Sequence, residues 1–575
     1  MIVRGVAELC SFAVDSASND YLASQEVSRG APGSLKCVQF AMGVESALRA
    51  RPRLWRAVGL ALFVLGVTGL VALCVSWNAS KAVPQVPLKY GVVLDAGSSH
   101  TKVTLYQWPA DKENGTGVVS QTTDCSVEGP GISSYARDPA GAGRSLGPCL
   151  SAVAARVPAE RRAESPVFLG ATAGMRLLEL QDSAATEKIL ASVRDAMRRS
   201  EFSFREARIL TGEEEGACGW VTVNYLKGNF LQSPDASWVA SAMRWWRPEP
   251  LVTHGALDLG GASTQISFVP RDPPRRDASS FRLFGSDYAV YTHSYLCYGR
   301  DQASLALLRT LVAAARGNDT APNPCYNKGY RRSVRLADLY GGGCSRAPHL
   351  GGGTWDPAGN TTTVTLVGTS DATRCLRAVR RIFNFSACAN NTECSFNGVY
   401  QPPVDGGFMA FAGFYFTMQS LNLTHGDGTA SVATLNSKLA TACSRSWTQA
   451  QQANPGARED RLRDVCFNGH YVQSLLLGGY GFTEESFAKI RFLKSIEGSS
   501  LGWTLGYMLN QTNMVPAVQP PRGSFLPVGA SSTLLLLFCL LLLASLAICF
   551  VLVLRGKRCA QAGGADAAMS STVVS

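Results

Sequence analysis

Tyr90–Trp108 reads YGVVLDAGSSHTKVTLYQW, and a second stretch from His254, HGALDLGGASTQISFVP, repeats its plan. In each copy an apolar run (Val92, Val93, Leu94; Ala256, Leu257) reaches an aspartate, Asp95 or Asp258. Glycine and small hydroxyl residues follow, then an alternating run. This is the pattern of a β-hairpin with a glycine-rich tip. Gly97, Gly260 and Gly261 are expected to permit backbone conformations and close approaches that a side chain forbids, turning successive N–H groups toward a phosphate. Ser98, Ser99, Thr101, Ser263 and Thr264 add hydroxyl donors. A carboxylate at the strand end suits a hydrated divalent cation, since hard ions take carboxylate and water oxygens and bridge to phosphates. One such turn is ordinary. Two matching copies predict duplicated lobes facing one another across a cleft.

Two further segments lie between the copies: FLGATAGMRLL from Phe168 and ARILTGEEEGACGWVTVNYL from Ala207. The first puts Thr172 between a short strand and a helix, where it serves equally as an N-cap or as an anion contact. The second stacks Glu213, Glu214 and Glu215 before a run with apolar residues at helical spacing (Trp220, Val221, Tyr225). Three carboxylates there also complement a helix dipole.

With 575 residues and 46% hydrophobic composition the chain can bury a large core, which excludes disorder. The net charge is +11, but no Lys/Arg run interleaved with aromatics appears between the two apolar stretches, so nucleic acid is not an expected partner. Ala57–Trp77 and Val528–Leu554 are uncharged and long enough to span a bilayer. Arg49, Arg51, Arg53 and Arg56 precede the first, and Arg555, Lys557 and Arg558 follow the second, placing both tails in the cytoplasm. A cleaved signal peptide is the rival for the first stretch, which is long for one. Small residues in the spans (Gly59, Gly66, Gly69, Ala544) permit helix packing and hence a homo-oligomer.

The region between the spans carries sequons at Asn114, Asn318, Asn360, Asn384, Asn390, Asn422 and Asn510, besides Asn78 close to the membrane. It also holds eleven of the 17 cysteines, as an oxidising compartment would have it. Eleven is odd, so one is left over, and Cys218 in a helix-like run is the candidate. Residues 1–48 show no motif, and Met42 just before the basic cluster is expected to be a second translation start.

Together D-A-G-S-S-H-T, G-A-T-A-G-M-R, E-E-G-A-C-G-W, D-L-G-G-A-S-T-Q and the late G-W-T-L-G-Y-M-L-N from Gly502 resemble, in order, the five conserved regions of the apyrases. These are the ecto-nucleoside triphosphate diphosphohydrolases, and the resemblance covers residues 85–520. Segments such as SVEGPGISSYA and GVYQPP look closest to the type-eight branch, with type two next.

The resemblance implies an α/β fold of two ribonuclease-H-like lobes, of the actin, heat-shock chaperone and sugar-kinase type, flanked by a transmembrane helix at each end. The expected order is a cytoplasmic tail (1–56), a span (57–77), lobe I (78–211), lobe II (212–493), a return to lobe I (494–527), a span (528–554) and a second tail (555–575). It implies an enzyme of the plasma membrane that uses Ca2+ or Mg2+ to hydrolyse extracellular ATP, ADP, UTP and UDP to the monophosphate, controlling purinergic signalling. A nucleotide-binding receptor or adhesion protein without turnover is the alternative. Glu215 matches the catalytic base, and Ser263 and Gln265 the pair that orient water. Ser98, Ser99, His100, Thr172, Gly260, Gly261 and Ala262 match phosphate contacts. Asp95, Asp258, Thr172, Glu215 and Trp503 match the shell of a water-bound metal. Arg300, Asp301, Phe416 and Arg461 fall where the base is held. Phe416 replaces a tyrosine of several members, and Val465 replaces another. Glu213, a glutamine in most members, is expected to raise the pKa of Glu215. The implied disulfides are Cys125–Cys149, Cys297–Cys344, Cys325–Cys375, Cys388–Cys394 and Cys443–Cys466.

Overall fold

The computed structural model describes residues 52–81, 87–230, 253–315, 318–345, 362–389, 391–424, 426–517 and 528–569. Met42 and the sequons Asn360 and Asn390 lie outside them.

Strands β1 (Leu88–Ala96) and β2 (Thr101–Pro109) pair antiparallel, with Asp95 opposite Lys102 at the tip end. β3 (Ser120–Ser126) continues the meander beside β2. On the other side of β1, β4 (Pro166–Ala171) and β5 (Ser203–Ile209) run parallel, giving the order β3-β2-β1-β4-β5. All six residues of β4 are buried, the uninterrupted apolar character of a parallel strand covered on both faces.

The second sheet repeats this ladder. β6 (Gly255–Leu259) and β7 (Ser263–Phe268) form the second hairpin with Asp258 opposite Gln265; β8 (Ala278–Leu283) and β9 (Ser286–Leu296) extend it beyond β7. β10 (Thr320–Asn323), β11 (Arg331–Arg335) and β12 (Thr363–Gly368) make a separate small sheet. β13 (Phe408–Ala412) and β14 (Ile490–Phe492) then add parallel to β6, so the order is β14-β13-β6-β7-β9-β8. With edge strand β8 set aside, the two sheets have one topology: the duplication that the paired hairpins predicted, in the ribonuclease-H-like plan that the resemblance implied.

Of the helices that build the site and the spans, α1 is Pro52–Lys81, α2 Ala173–Gln181, α3 Gly212–Leu226, α4 Trp503–Thr512 and α5 Val528–Met569. α3 and α4 join the sheets into one apolar core. Trp220 and Val221 of α3 and Leu505 and Leu509 of α4 share a buried cluster with Val93 and Phe168 of the first sheet and Met409 and Phe411 of the second. Residues 85–519 form one compact unit.

The spans form the other unit. Their stretches apolar enough to cross a bilayer are Arg53–Val75 and Ser532–Leu554, and the enclosing helices run a few residues further at both ends of the first and well past the second. A Cβ on Gly59 would meet Ile548 at 3.3 Å, one on Gly66 Leu542 at 2.7 Å, and one on Gly69 Phe538 at 2.2 Å. The contacts descend along α5 as they ascend α1, so the pair is antiparallel, and Ser545 Oγ donates to the Gly59 carbonyl at 2.8 Å. The glycine stripe expected to bind another copy is occupied by the chain's own second span.

The cysteines pair as the resemblance implied: Cys125–Cys149, Cys297–Cys344, Cys325–Cys375, Cys388–Cys394 and Cys443–Cys466. Cys218 is free and buried. Asn114, Asn318, Asn384 and Asn422 are exposed, whereas Asn510 is half-buried inside α4, unlike the surface loop a glycan acceptor normally occupies.

Candidate active site

Each hairpin delivers an aspartate to its tip. None of Gly97, Gly260 and Gly261 takes a positive φ, so left-handed backbone is not what those positions require. Space is. A Cβ on Gly261 would lie 2.6 Å from Ser98 Oγ and 2.7 Å from Asp301 Oδ2, so the two tips, one from each sheet, meet across this glycine. From the other side Gly174 of α2 comes against the first tip, where a Cβ would sit 2.7 Å from Ser98 Cα. Arg300 and Asp301 wrap the second tip, their backbone N–H groups donating to Gly260 and Gly261 carbonyls at 2.9 Å each. Ser99 Oγ and His100 Nδ1 are 3.1 Å apart at the exposed edge of the first tip.

The three glutamates at the start of α3 separate by role. Thr211 is the N-cap, and Glu214 completes a capping box with it while pairing with Arg208 at 2.8 Å. Glu215, the next residue, turns inward and is buried. Its Oε2 accepts from Arg176 Nη2 of α2 and from Gln265 Nε2 of β7, the latter at 3.0 Å. Gln265 Nε2 also donates to Ser263 Oγ at 2.8 Å and to Ser294 Oγ at 3.1 Å. Gln265 Oε1 is buried with no hydrogen-bond partner among the described residues, an acceptor suited to a water molecule. Thr172 stands at the N-cap position of α2 without making a side-chain cap bond, so its buried hydroxyl is not spent on the helix.

Burial, chiefly, pushes the pKa of Glu215 up to about 8; Arg176 opposes this, and Asp258 and Asp95 add to it. Burial and the nearby Asp95 raise Asp258 to about 7. Asp95 is also raised by burial, opposed first by the indole N–H of Trp503, which is aimed at it without closing a hydrogen bond of normal geometry. Glu213 does not act as expected. Its charge is felt by His293 of β9, and the neighbours that raise Glu215 are the two aspartates. Burial raises all three carboxyls, Asp95 adds to the rise of Asp258, and both aspartates add to that of Glu215; with no salt bridge to Asp95 or Asp258 among the described residues, these oxygens suit a hard divalent cation.

Arg176 and Ser294 escaped the sequence. Arg176 lies four residues after Thr172, hence on the same helix face, and closes the G-A-T-A-G-M-R stretch, two signals that gave it no role by themselves. Of the base-binding candidates, Arg300 and Asp301 line a cavity of about 230 Å³, with Arg332, Arg463, Asp464 and Asn468. Neither Phe416 nor Arg461 lines it; both are exposed.

A duplicated lobe whose acidic hairpin tips meet beside a buried glutamate defines a phosphate-handling protein of the actin-like class. Residues 84–524 match the GDA1/CD39 (nucleoside phosphatase) family, and the chain belongs to it. It is 44% identical over 475 residues to ectonucleoside triphosphate diphosphohydrolase 8 of Bos taurus, covering 82% of this chain and 92% of that protein. Against ectonucleoside triphosphate diphosphohydrolase 2 of Rattus norvegicus it is 44% identical over 510 residues, 88% and 98% of the respective chains. Among solved structures, a nucleoside triphosphate hydrolase from Neospora caninum superposes with a TM-score of 0.52 at 16% identity, over 74% of this chain and 93% of that one.

Proposed function

We propose that this enzyme hydrolyses extracellular nucleoside tri- and diphosphates at the terminal phosphate, held at the plasma membrane by its two spans with both tails cytoplasmic. The antiparallel pairing of α1 and α5 supports tails on one side. The single observation behind the chemistry is Glu215, buried between two aspartate-bearing hairpin tips and fixed by Arg176 and Gln265.

The backbone N–H groups of Gly261 and Ala262 and the polar groups of Ser98, Ser99, His100 and Thr172 cradle the phosphate chain, while the N–H of Gly260, the third glycine-turn candidate, is spent closing the turn on the Ser263 carbonyl at 3.0 Å. Asp95, Asp258 and Trp503, with Thr172 and Glu215, would hold Ca2+ or Mg2+ through water, and the bound cation would supply charge neutralisation at the phosphate oxygens. Ser263 and Gln265 orient the attacking water, Gln265 through its free Oε1, and Glu215 takes the proton as the water oxygen bonds to the terminal phosphorus and the bond from that phosphorus to the bridging oxygen breaks, releasing phosphate and the shortened nucleotide. A cation bound beside Asp95 and Asp258 would offset the two charges that add to the burial-driven rise of the Glu215 pKa, favouring the ionised form that can act as a base. Arg300 and Asp301, with Phe416 and Arg461, contact the nucleoside.

The test follows ATP, ADP and AMP over time on intact cells bearing the full chain, with and without chelator. AMP and phosphate should accumulate in the medium only when divalent cation is present. Nucleotide bound but not consumed would instead support a receptor.

A further inference from the structure

At the opposite end of β1 from Asp95, a cavity of about 690 Å³ opens in the 85–519 unit, a size within the range of small-molecule pockets. Its apolar walls are Tyr90, Trp108 and Phe168 from the first sheet and Met508, Met514 and Val515 from α4 and the segment after it. Trp108, Phe168 and Met508 are buried floor residues, while Met514 is 72% exposed at the rim. Four charged side chains line it as well. The two acids are in ion pairs: Glu164 with Arg161 at 2.8 Å, and Glu206 with Arg208 at 3.3 Å, a guanidinium it shares with Glu214, and with the Tyr507 hydroxyl. The two bases are not. Among the described residues neither Lys89 nor Arg205 forms a salt bridge, and Lys89 Nζ donates only to the Pro516 carbonyl, at 3.0 Å. An apolar trough with two uncompensated cations selects an anion carrying a hydrocarbon body.

The walls also indicate where such a ligand comes from. Lys89 and Tyr90 belong to the first strand after the first span, and Met514 to Pro516 are the segment that leads back toward the second. We infer that this cavity binds a long-chain fatty acid from the surrounding membrane, its alkyl chain on Trp108, Phe168 and Met508 and its carboxylate on Arg205 and Lys89. The lipid source rests on the membrane-anchored reading above; the site itself rests on the cavity.

A photoactivatable palmitate bearing a chain-borne diazirine tests this on cell membranes containing the full chain, with labelled peptides mapped by mass spectrometry. Labelling is expected on the peptides holding Lys89–Tyr90 and Met508–Pro516, competed by unlabelled palmitate and not by hexadecanol, which lacks the anion. Arg205→Glu should reduce it about tenfold, the size of one lost charge-assisted contact. Met514→Asp should do likewise, while ATP hydrolysis by both variants stays intact and reports correct folding. Labelling confined to the spans, or cavity labelling indifferent to competitor and to Arg205→Glu, overturns the site. Absence of label from the spans themselves counts against the anchored reading, and palmitate supplied in the buffer then still decides the cavity.

Discussion

Arg176 holds Glu215 in place and also lowers its pKa, so its removal has a predictable sign. In Arg176→Ala the carboxyl keeps its proton to higher pH, and the rising limb of the pH–rate profile should move upward along with a fall in kcat. Arg176→Lys restores charge without the planar fork and should recover the limb more than the rate. A profile unchanged in both variants would remove Arg176 from the site. Asp95 and Asp258 were legible because the sequence states them twice in the same setting. Glu215 was legible only through the family resemblance, since three adjacent glutamates look alike in a sequence; the structure divides them by a capping box, an arginine partner and burial. Arg176 was invisible because a lone arginine in a short helix is ordinarily a solvated one. Phe416 and Arg461 are exposed and do not line the cavity beside Arg300.

The hairpin and its capped helix are the working elements. Gly261→Ala puts a methyl against Ser98 Oγ and Asp301 Oδ2, side-chain ends that must turn away from it and so leave their places at the site. Misplacement of about 1 Å at a phosphate clamp costs about 10²-fold in rate. The variant should therefore keep its melting temperature and lose catalysis, whereas Thr211→Ala, which breaks the capping box of α3, should cost about 0.5–2 kcal/mol of stability with a smaller loss of rate. Phosphate release and thermal unfolding on the same preparations separate the two. Hairpins and spans were readable from periodicity and length. Of the two roles expected of the glycines, left-handed backbone is not used and close approach is: Gly261 admits Ser98 of the other tip, while Gly97 and Gly260 clear carbonyls of their own turns, and which of them faces the other lobe is a long-range fact that no local pattern carries.

In the whole molecule the two lobes pool acids that neither could gather alone, and stability should report it. In the unfolded chain such carboxyls titrate near 4, whereas folding raises Asp258 to about 7 and Glu215 to about 8. Between those values the folded state holds protons that the unfolded state has released, so stability falls as pH rises, by up to about 1.4 kcal/mol per unit and group. Chelated protein should melt at a lower temperature at pH 8 than at pH 5.5, and added Ca2+ or Mg2+ should raise it more at pH 8. Equal gains at both pH values would mean that the ion does not sit on these acids. The duplication of the lobes was legible in the repeat; their strand topology came with the resemblance. The disulfide pairing was available only by resemblance, because cysteine spacing does not encode which partners the fold brings together.

The central claim is that Glu215 activates the water. Phosphate release from ATP by purified full-length Glu215→Gln, set beside nucleotide binding by the same variant, tests it most directly. Turnover should fall by about two to four powers of ten, the reach of general base catalysis, with binding retained. Near-normal phosphate release from that variant would contradict the account.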